Sequence, residues 1–349
     1  MKRMPKLVQL LTVCILSAAS CAVHEFPVPE KSGRSLELHL EFETGSPLWK
    51  TLELDSDGNI LTRAASQDIG RRYLVRAFYN SKGPESRVPV KSWEFLSSAT
   101  AFPDTTVTLT EFPEGAYRIL VWSDFGSGGA DWYYNTDDFT EIVLSSKDNY
   151  QGSTDWRDAF RGDVEIDGET DEALVAMVRP MAKFEFVSTD LEHFIEDIWV
   201  KSQLEKGADV RSSDFENLPE HIKEAELQAF GVRFIYPMYM ACSFNMFTNR
   251  PANSWPGVTY ETSIVPMDTG MALMGFDYVF VNSHDTSINV SLEVFEKRGG
   301  QVVARVNALD VPLRRSHLTV VQGPFLTARA GGAPSIDPSF DGEFNIEIK

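Results

Sequence analysis

Short runs in which apolar and polar residues alternate are the feature that most constrains the fold of this chain. In Leu36–Glu43, a leucine or phenylalanine occupies every second position, with glutamate or histidine between them. A period of two places successive side chains on opposite faces of a β-strand. Further runs separated by turn residues predict strands near 72–79, 105–110, 116–122, 141–144, 231–240, 258–265, 275–282, 287–296 and 301–309. Many short strands with few helical signals predict an all-β fold of sandwiches or barrels.

One apolar junction divides this fold into two tandem units. The chain has 349 residues, which is enough for two domains of ordinary size. The apolar stretch 173–186 is long for one strand, and Pro180 in its middle cannot donate to a strand ladder. We therefore predict two strands that meet at Arg179. This places an N-terminal β-sandwich domain at 35–178 and a C-terminal one at 179–349.

Three weaker signals lie in the second unit. The polar segment 201–229 is predicted to be partly helical around 219–230. The chain ends on an alternating run, 344–349, which predicts a strand in the second domain's own sheet. Asp341 and Gly342 before it favour a tight turn that returns this strand to the preceding one. We find no convincing sequence repeat between the two halves.

The N-terminus has the pattern of an exported lipoprotein. Lys2, Arg3 and Lys6 precede an apolar run at 7–19, which is typical of a signal peptide over residues 1–20. Small residues then end on a cysteine, the layout of a lipobox. Lipidation of Cys21 and a flexible tether at 21–34 are the expected outcome, with the outer membrane as the partner of the lipid. The alternative is ordinary cleavage that leaves an incidental thiol.

Charge and cysteine content exclude several classes of function. The formal charge is −19, and loss of the three basic residues of the signal peptide makes it −22. A body this acidic repels nucleic acid, so no nucleic-acid partner is expected. Cys14 lies in the signal peptide and Cys21 at the lipidation site, so Cys242 is the only thiol of the body. Its apolar neighbours favour a buried structural cysteine over a nucleophile.

The usual catalytic and metal-binding motifs are missing from the sequence. It contains no GxSxG, HExxH, P-loop or GxGxxG pattern, and its six histidines lack ligand spacing. The acidic turn Asp55–Asn59 suggests calcium, but Ile60 and Ser66 occupy the positions where an EF-hand needs glycine and glutamate. We therefore expect no metal, no cofactor and no enzymatic activity. A hydrolase that uses the abundant carboxylates is a third hypothesis without an identifiable nucleophile.

One segment, 122–139, has the composition of a binding loop. Its aromatic residues follow a glycine-rich stretch and stand beside carboxylates. Such side chains can stack on and hydrogen-bond a sugar or a partner protein. The alternative is that the loop folds back and its aromatic rings fill the end of a sandwich. The candidate contact residues are Trp132, Tyr133, Tyr134, Asp131 and Asp137.

Four passages together resemble a known family. They are the lipobox with the seven residues from Cys21, the run Glu114–Asp124, the run Val178–Phe186 and the run Pro312–Gly323. In these passages the chain resembles the fimbrillin-like lipoproteins of the Bacteroidales type V pilus superfamily. The passages span most of the chain after the signal peptide, and none of them is catalytic.

This resemblance implies two transthyretin-like β-sandwich domains and a role as a pilus subunit, tip or anchor at the cell surface. It also implies possible partners, namely other fimbrial subunits that add a β-strand and a host or glycan ligand. In stalk subunits of the family an arginine-directed protease removes the first strand, so Arg34 and Arg63 are candidate processing sites. The alternative function is a surface lipoprotein that binds glycans through the loop 122–139.

Overall fold

A computed structural model describes residues 33–43, 69–80, 84–98, 102–127, 131–210, 212–267, 270–328 and 344–347. These residues form twenty strands and three short α-helices, so the prediction of an all-β fold is confirmed. The candidate sites Cys21 and Arg63 and the acidic turn Asp55–Asn59 lie outside the described residues.

The first half of the chain forms two facing sheets. Its strands are β1 (Arg34–Phe42), β2 (Ile69–Tyr79), β3 (Lys91–Ser97), β4 (Thr105–Phe112), β5 (Tyr117–Ser127), β6 (Tyr134–Asn135), β7 (Ile142–Leu144), β8 (Phe160–Ile166) and β9 (Glu172–Met177). One sheet has the order β4-β1-β9 and the other β3-β2-β5-β8. In the first sheet β1 is central, antiparallel to β4 and parallel to β9.

The second half repeats this design with additions. Its elements are β10 (Met181–Ser188), α1 (Leu191–Glu205), α2 (Ser212–Glu216), α3 (Glu220–Leu227), β11 (Phe230–Ala241), β12 (Ser243–Asn245), β13 (Arg250–Pro251), β14 (Ser254–Ser263), β15 (Val265–Pro266), β16 (Ala272–Phe280), β17 (Thr286–Glu296), β18 (Val302–Leu313), β19 (Leu318–Gly323) and β20 (Phe344–Glu347). The sheets have the orders β15-β16-β10-β19-β20 and β14-β11-β17-β18.

Without β15 and β20, the two halves have the same topology. In the first half, β1 lies between its antiparallel neighbour β4 and its parallel neighbour β9. In the second half, β10 lies in the same way between the antiparallel β16 and the parallel β19. In the other sheet of each half, the strand that comes second in the chain lies at one edge, and the first, third and fourth strands follow it across the sheet. The structure therefore contains a repeat that the sequence does not reveal. The junction predicted at Arg179 lies between β9 and β10.

A shared core joins the two halves. Ile119 and Val121 of β5 pack in the core between the two sheets of the first half, whereas Leu120 and Trp122 pack in the larger core that runs through the second half. A strand buried on both faces has a continuous apolar sequence instead of an alternating one. This double burial explains the run of apolar residues in β5. A small sheet of order β13-β12-β7-β6 also combines strands from both halves.

Two arginines of the first half and one of the second hold a turn of the second half in place. The turn follows β12, and Phe247 within it packs edge-on against Phe78 with ring centroids 4.8 Å apart. The backbone carbonyls of the turn accept hydrogen bonds from all three guanidinium groups. The donors are Arg161 to Met246 (3.4 Å), Arg118 to Phe247 (3.3 Å) and Arg315 to Asn249 (3.1 Å).

Asp163 neutralises part of this positive charge. Its carboxylate accepts hydrogen bonds from Arg118 (3.1 Å) and Arg161 (3.0 Å). Burial alone raises the pKa of Asp163, but the hydrogen bonds and charges of the two arginines outweigh it and lower the pKa below 3.8. The folded state therefore binds this proton less readily than the unfolded state.

We expect the Asp163→Asn variant to lose about 1–3 kcal/mol of stability at neutral pH, because two part-buried arginines lose their counter-charge. The folded pKa lies below the unfolded value, so the contribution of the carboxylate is complete above 3.8 and disappears as the pH falls through the folded pKa. Thermal melting between pH 7 and pH 3 tests this. The melting temperatures of the variant and the unaltered protein should converge in acid, and a gap that stays constant would contradict the prediction.

The structure corrects two details of the sequence analysis. The helix α1 begins ten residues before the predicted polar segment, and its apolar residues Leu191, Ile195 and Trp199 recur at helical spacing. The strand β20 does lie in the second domain's sheet, but it is parallel to β19. A tight turn joins antiparallel strands, so Asp341 and Gly342 do not return β20 to its neighbour as a hairpin.

Candidate functional site

The predicted binding loop is shorter than its sequence indicates. Its first six residues belong to β5, which pairs with β2 as far as Ser127. The pairing keeps Trp122 and Asp124 fully buried, so they are part of the fold and not of a loop. Among the described residues, the part of the loop outside β5 therefore begins at Asp131.

Asp131 attaches the loop to the sheet. Its carboxylate lies 2.6 Å from the guanidinium of Arg72 and accepts hydrogen bonds from the backbone and hydroxyl of Thr136. Arg72 also donates to Asp124, at 2.6 Å. In this geometry Asp131 makes structural contacts, and its predicted role as a ligand contact stays a prediction. Asp137 is exposed, but it pairs with its neighbour Asn135 and does not line the pocket described below.

The three consecutive aromatic residues point in different directions. Tyr134 is 1% exposed, and its ring packs against Trp122 and Phe280 in the shared core. Burial raises its pKa. Trp132 and Tyr133 are half-buried at the surface. One ring therefore fills the core, as one interpretation of the loop expected, and two rings remain accessible, so their role in binding stays a prediction.

The accessible rings form a small aromatic cluster. The centroids of Trp132 and Tyr133 are 4.5 Å apart, and those of Trp132 and Trp156 are 5.9 Å apart. Trp156 in turn packs edge-on against Phe125 of β5, at 4.9 Å. The cluster is thus supported from below by a buried ring. Trp156 lies outside the predicted loop, and nothing in its local sequence marks it as a neighbour of Trp132.

A pocket of about 120 Å³ lies beside this cluster. Trp132 and Tyr133 form one wall, Leu144 and Tyr150 lie deeper, and Asn149 and Gln151 stand at the exposed side. The hydroxyl of Tyr133 lies 3.3 Å from the Gln151 side-chain oxygen. Ser145 donates to the carbonyl of Trp132 at 2.7 Å and so fixes the backbone beneath the indole.

A buried ionic network forms the base of the pocket. Arg157 is paired with Asp277, which is fully buried and also accepts hydrogen bonds from Tyr150 (2.7 Å) and Tyr236 (2.5 Å). Burial raises the pKa of Asp277 despite the neighbouring guanidinium. The second guanidinium nitrogen of Arg157 donates to the carbonyl of Tyr278. The charged and polar groups of this network are bonded to one another. These contacts hold Arg157 and Tyr150, which line the pocket, in place.

The sequence identified only part of this site. The structure brings Trp132 and Tyr133 together at the pocket, but it places Tyr134 in the core and Asp131 and Asp137 elsewhere. Asn149 and Gln151 were missed, because neither belongs to a motif and both reach the pocket only through the fold. Their place beside the aromatic pair could be predicted from the sequence only if the pairing of β6 with β7 were known.

Two further predicted residues are described. Arg34 is the first residue of β1, and its guanidinium donates to the carbonyls of Asp167 (2.8 Å) and Gly168 (2.6 Å). Cys242 is 2% exposed, and burial raises the pKa of its thiol to about 11. Its backbone pairs with Asn253 and Leu144 in the small shared sheet. This environment agrees with a structural cysteine.

We expect the thiol of Cys242 to resist iodoacetamide at pH 8, because the reagent attacks the thiolate and burial both raises the pKa and blocks access. Mass spectrometry of the Cys21→Ala protein after an hour of treatment measures the labelled fraction. The same protein in guanidinium chloride is the control and should be labelled completely. Rapid labelling of the folded protein would show that this strand junction opens in solution.

Within the described ranges, no helix is long and apolar enough to cross a membrane. The same part of the chain holds no group of three or more histidine, cysteine or acidic residues arranged to bind a metal ion.

Several solved structures are similar to this chain at low sequence identity. The fimbrial anchor protein Mfa2 from Porphyromonas gingivalis has a TM-score of 0.40 and 10% identity, with 78% of this chain and 82% of that chain covered. A proposed cell adhesion protein from Bacteroides ovatus has a TM-score of 0.43 and 12% identity, with coverages of 86% and 95%. A proposed polysaccharide-binding protein from Bacteroides thetaiotaomicron has a TM-score of 0.41 and 12% identity, with coverages of 78% and 80%.

Fimbrial and adhesion proteins of Bacteroidales are also the class that the sequence resembles. At these TM-scores the likeness is distant, so the function is argued below from this chain's own residues. No curated protein matches the sequence. Residues 44–349 match the model of a family described as a family of unknown function, DUF6562. Because this match covers much more than half of the chain, the chain belongs to the DUF6562 family.

Proposed function

We propose that this chain is a non-enzymatic, lipid-anchored protein of the cell surface that acts in adhesion or in the assembly of surface fibres, as a pilus subunit, tip or anchor. The single observation that carries this proposal is the position of β1. The strand that follows the predicted lipid attachment site is the central strand of its sheet, so the membrane anchor and the folded body are joined through the core.

The burial of β1 makes this attachment firm. Its side chains Leu36, Leu38, Leu40 and Phe42 are at most 5% exposed. Backbone ladders hold it on both sides, six residue pairs to β4 and six to β9. Cys21 and Arg34 are 13 positions apart, a span of at most roughly 45 Å when fully extended. A lipid on Cys21 would therefore keep the body close to the membrane surface.

Because β1 is the central strand of its sheet, cleavage at the two candidate processing sites would have different consequences. A cut after Arg34 would separate the tether and its lipid from the body but leave β1 in the sheet. A cut after Arg63 would fall between β1 and β2, and only a cut there frees β1 to be replaced by a strand of another subunit. Replacement of β1 by another subunit's strand thus requires a cut at the second site, whereas a cut at the first separates only the tether and its lipid from the body.

The ionisable groups support a non-enzymatic role. Arg157, Tyr150 and Tyr236, whose pKa values lie well above their usual range, are buried and bonded to one another through Asp277. Catalytic groups with perturbed pKa values normally face a cleft that substrate can enter. Here the pocket wall hides the carboxylate, and the accessible lining residues are aromatic rings, amides and hydroxyls.

Surface location and lipid attachment are tested together in a Bacteroides host. Immunogold microscopy of whole cells should label the unaltered chain at the surface, and the membrane fraction should contain it. The Cys21→Ala variant should appear in the soluble fraction with an unchanged melting temperature, because only the anchor is lost. Sedimentation of that variant with the membranes, or a lack of surface label on intact cells, would overturn the proposal.

A further inference from the structure

We propose that the pocket beside Trp132 and Tyr133 binds one neutral sugar ring of a surface glycan. This inference deepens the proposed surface role and rests on it, since a glycan ligand requires an exposed body. It differs from the loop interpretation in its residues: two amides from outside the loop take the places expected for Asp131 and Asp137.

The aromatic wall supplies the apolar half of such a site. A sugar ring presents C–H groups on its faces and hydroxyls at its edge, so it pairs with amphipathic rings bordered by polar groups. Trp132 and Tyr133 are half-buried, which leaves part of each ring available while the rest is held in place. Contact with Trp156 restrains the indole further. A fixed ring loses little conformational entropy when a ligand binds.

The amides supply the polar half. Asn149 and Gln151 both line the pocket, and both are exposed. Among the described residues, the side-chain amide of Asn149 has no hydrogen-bond partner, and Gln151 uses only its oxygen, towards the hydroxyl of Tyr133. Amide groups both donate and accept, which matches the hydroxyl groups of a sugar.

The charge of the site favours a neutral ligand. Among the described residues, Arg157 is the only charged one that lines the pocket. Its side chain is 3% exposed, and its guanidinium is bonded to Asp277, Tyr150 and Tyr278. The body as a whole is strongly acidic, so anionic polysaccharides are repelled. A sulfated or uronic-acid sugar therefore finds no free cation among the lining residues that the structure describes.

The volume indicates how much of the ligand enters. About 120 Å³ is well below the roughly 300–1,000 Å³ of typical small-molecule pockets. The space fits a single ring, with the remainder of the chain outside. Such a site binds a monosaccharide weakly and gains strength when many rings along a polysaccharide meet many copies of the protein.

Affinity electrophoresis of the Cys21→Ala protein tests the inference. Native gels would contain yeast mannan, galactomannan, dextran, laminarin or xylan, with polygalacturonate and chondroitin sulfate as anionic probes. We expect retardation by at least one neutral polysaccharide and by neither anionic one. Trp132→Ala, Tyr133→Ala and the double variant Asn149→Ala/Gln151→Ala should each weaken binding by roughly tenfold or more, as expected for loss of a central contact.

Tyr239→Ala is the matched control, because Tyr239 is 68% exposed and does not line the pocket. The exposed amide pair guards against misfolding as an explanation, since its replacement removes no core contact. No retardation by any neutral probe, retardation that survives Trp132→Ala, or preference for an anionic probe would each overturn the inference. If surface labelling and Cys21-dependent anchoring persist in that case, the proposed function stands without this site.

Discussion

The Asp277→Asn variant should lose about 3–5 kcal/mol of stability, the largest effect expected of any single substitution in this chain. The amide keeps an oxygen for Tyr150 and Tyr236 but leaves the buried guanidinium of Arg157 without a counter-charge. Folding must then desolvate an uncompensated cation, or the network must open to water. Urea denaturation followed by tryptophan fluorescence measures the loss, and the unfolding midpoint reports it directly.

Two controls separate charge from packing in this experiment. Asp285→Asn breaks an exposed pair with Arg314 and should leave the midpoint unchanged, because solvent screens that pair. The double variant Arg157→Met/Asp277→Asn should recover more than half of the loss, since it removes the unpaired charge as well. A loss below about 1 kcal/mol in Asp277→Asn would contradict the prediction, because it would show that the buried guanidinium does not need this counter-charge.

A chain that begins at residue 44 should fail to fold as a soluble monomer. Removing β1 takes away Leu36, Leu38, Leu40 and Phe42, whose burial stabilises the fold by roughly 6–12 kcal/mol at about 1.5–3 kcal/mol each. That is comparable with the whole stability of an ordinary domain, about 5–15 kcal/mol. The strands β4 and β9 also lose their common partner and become open edges. Size-exclusion chromatography should find the shortened chain aggregated.

Adding a synthetic peptide of residues 34–43 during refolding should restore a soluble complex of one chain and one peptide. A peptide in which each apolar residue exchanges places with the polar residue after it is the control. It has the same composition, but it turns its leucines to the wrong face and should not rescue. Normal folding of the shortened chain without any peptide would contradict the central role assigned to β1.

The strands could be predicted from the sequence because most of them obey a local rule. Alternation in β1 reflects one buried and one exposed face, and the apolar run in β5 reflects burial on both. The order of the strands follows no local rule. That β1 lies beside β9, more than 130 residues later, depends on the packing of two sheets and leaves no mark on either segment. The topological repeat cannot be recognised in the sequence for the same reason.

The candidate site was half predictable. Three adjacent aromatic residues marked the region, and composition alone cannot say that Tyr134 points into the core while its two neighbours do not. That difference arises because Tyr134 belongs to β6 and pairs with Leu144. Asn149 and Gln151 are ordinary loop residues by composition, and they acquire a role only because β7 returns the chain to the aromatic pair.

The parallel pairing of the first and last strands has a mechanical consequence. In the first half the chain enters at the start of β1 and leaves at the end of β9, and these two strands are parallel neighbours. Parallel neighbours place those two points at opposite ends of the sheet. A pull between them therefore loads all the hydrogen bonds of the ladder in shear, so they must break together. Antiparallel neighbours would instead unzip one bond at a time, at much lower force.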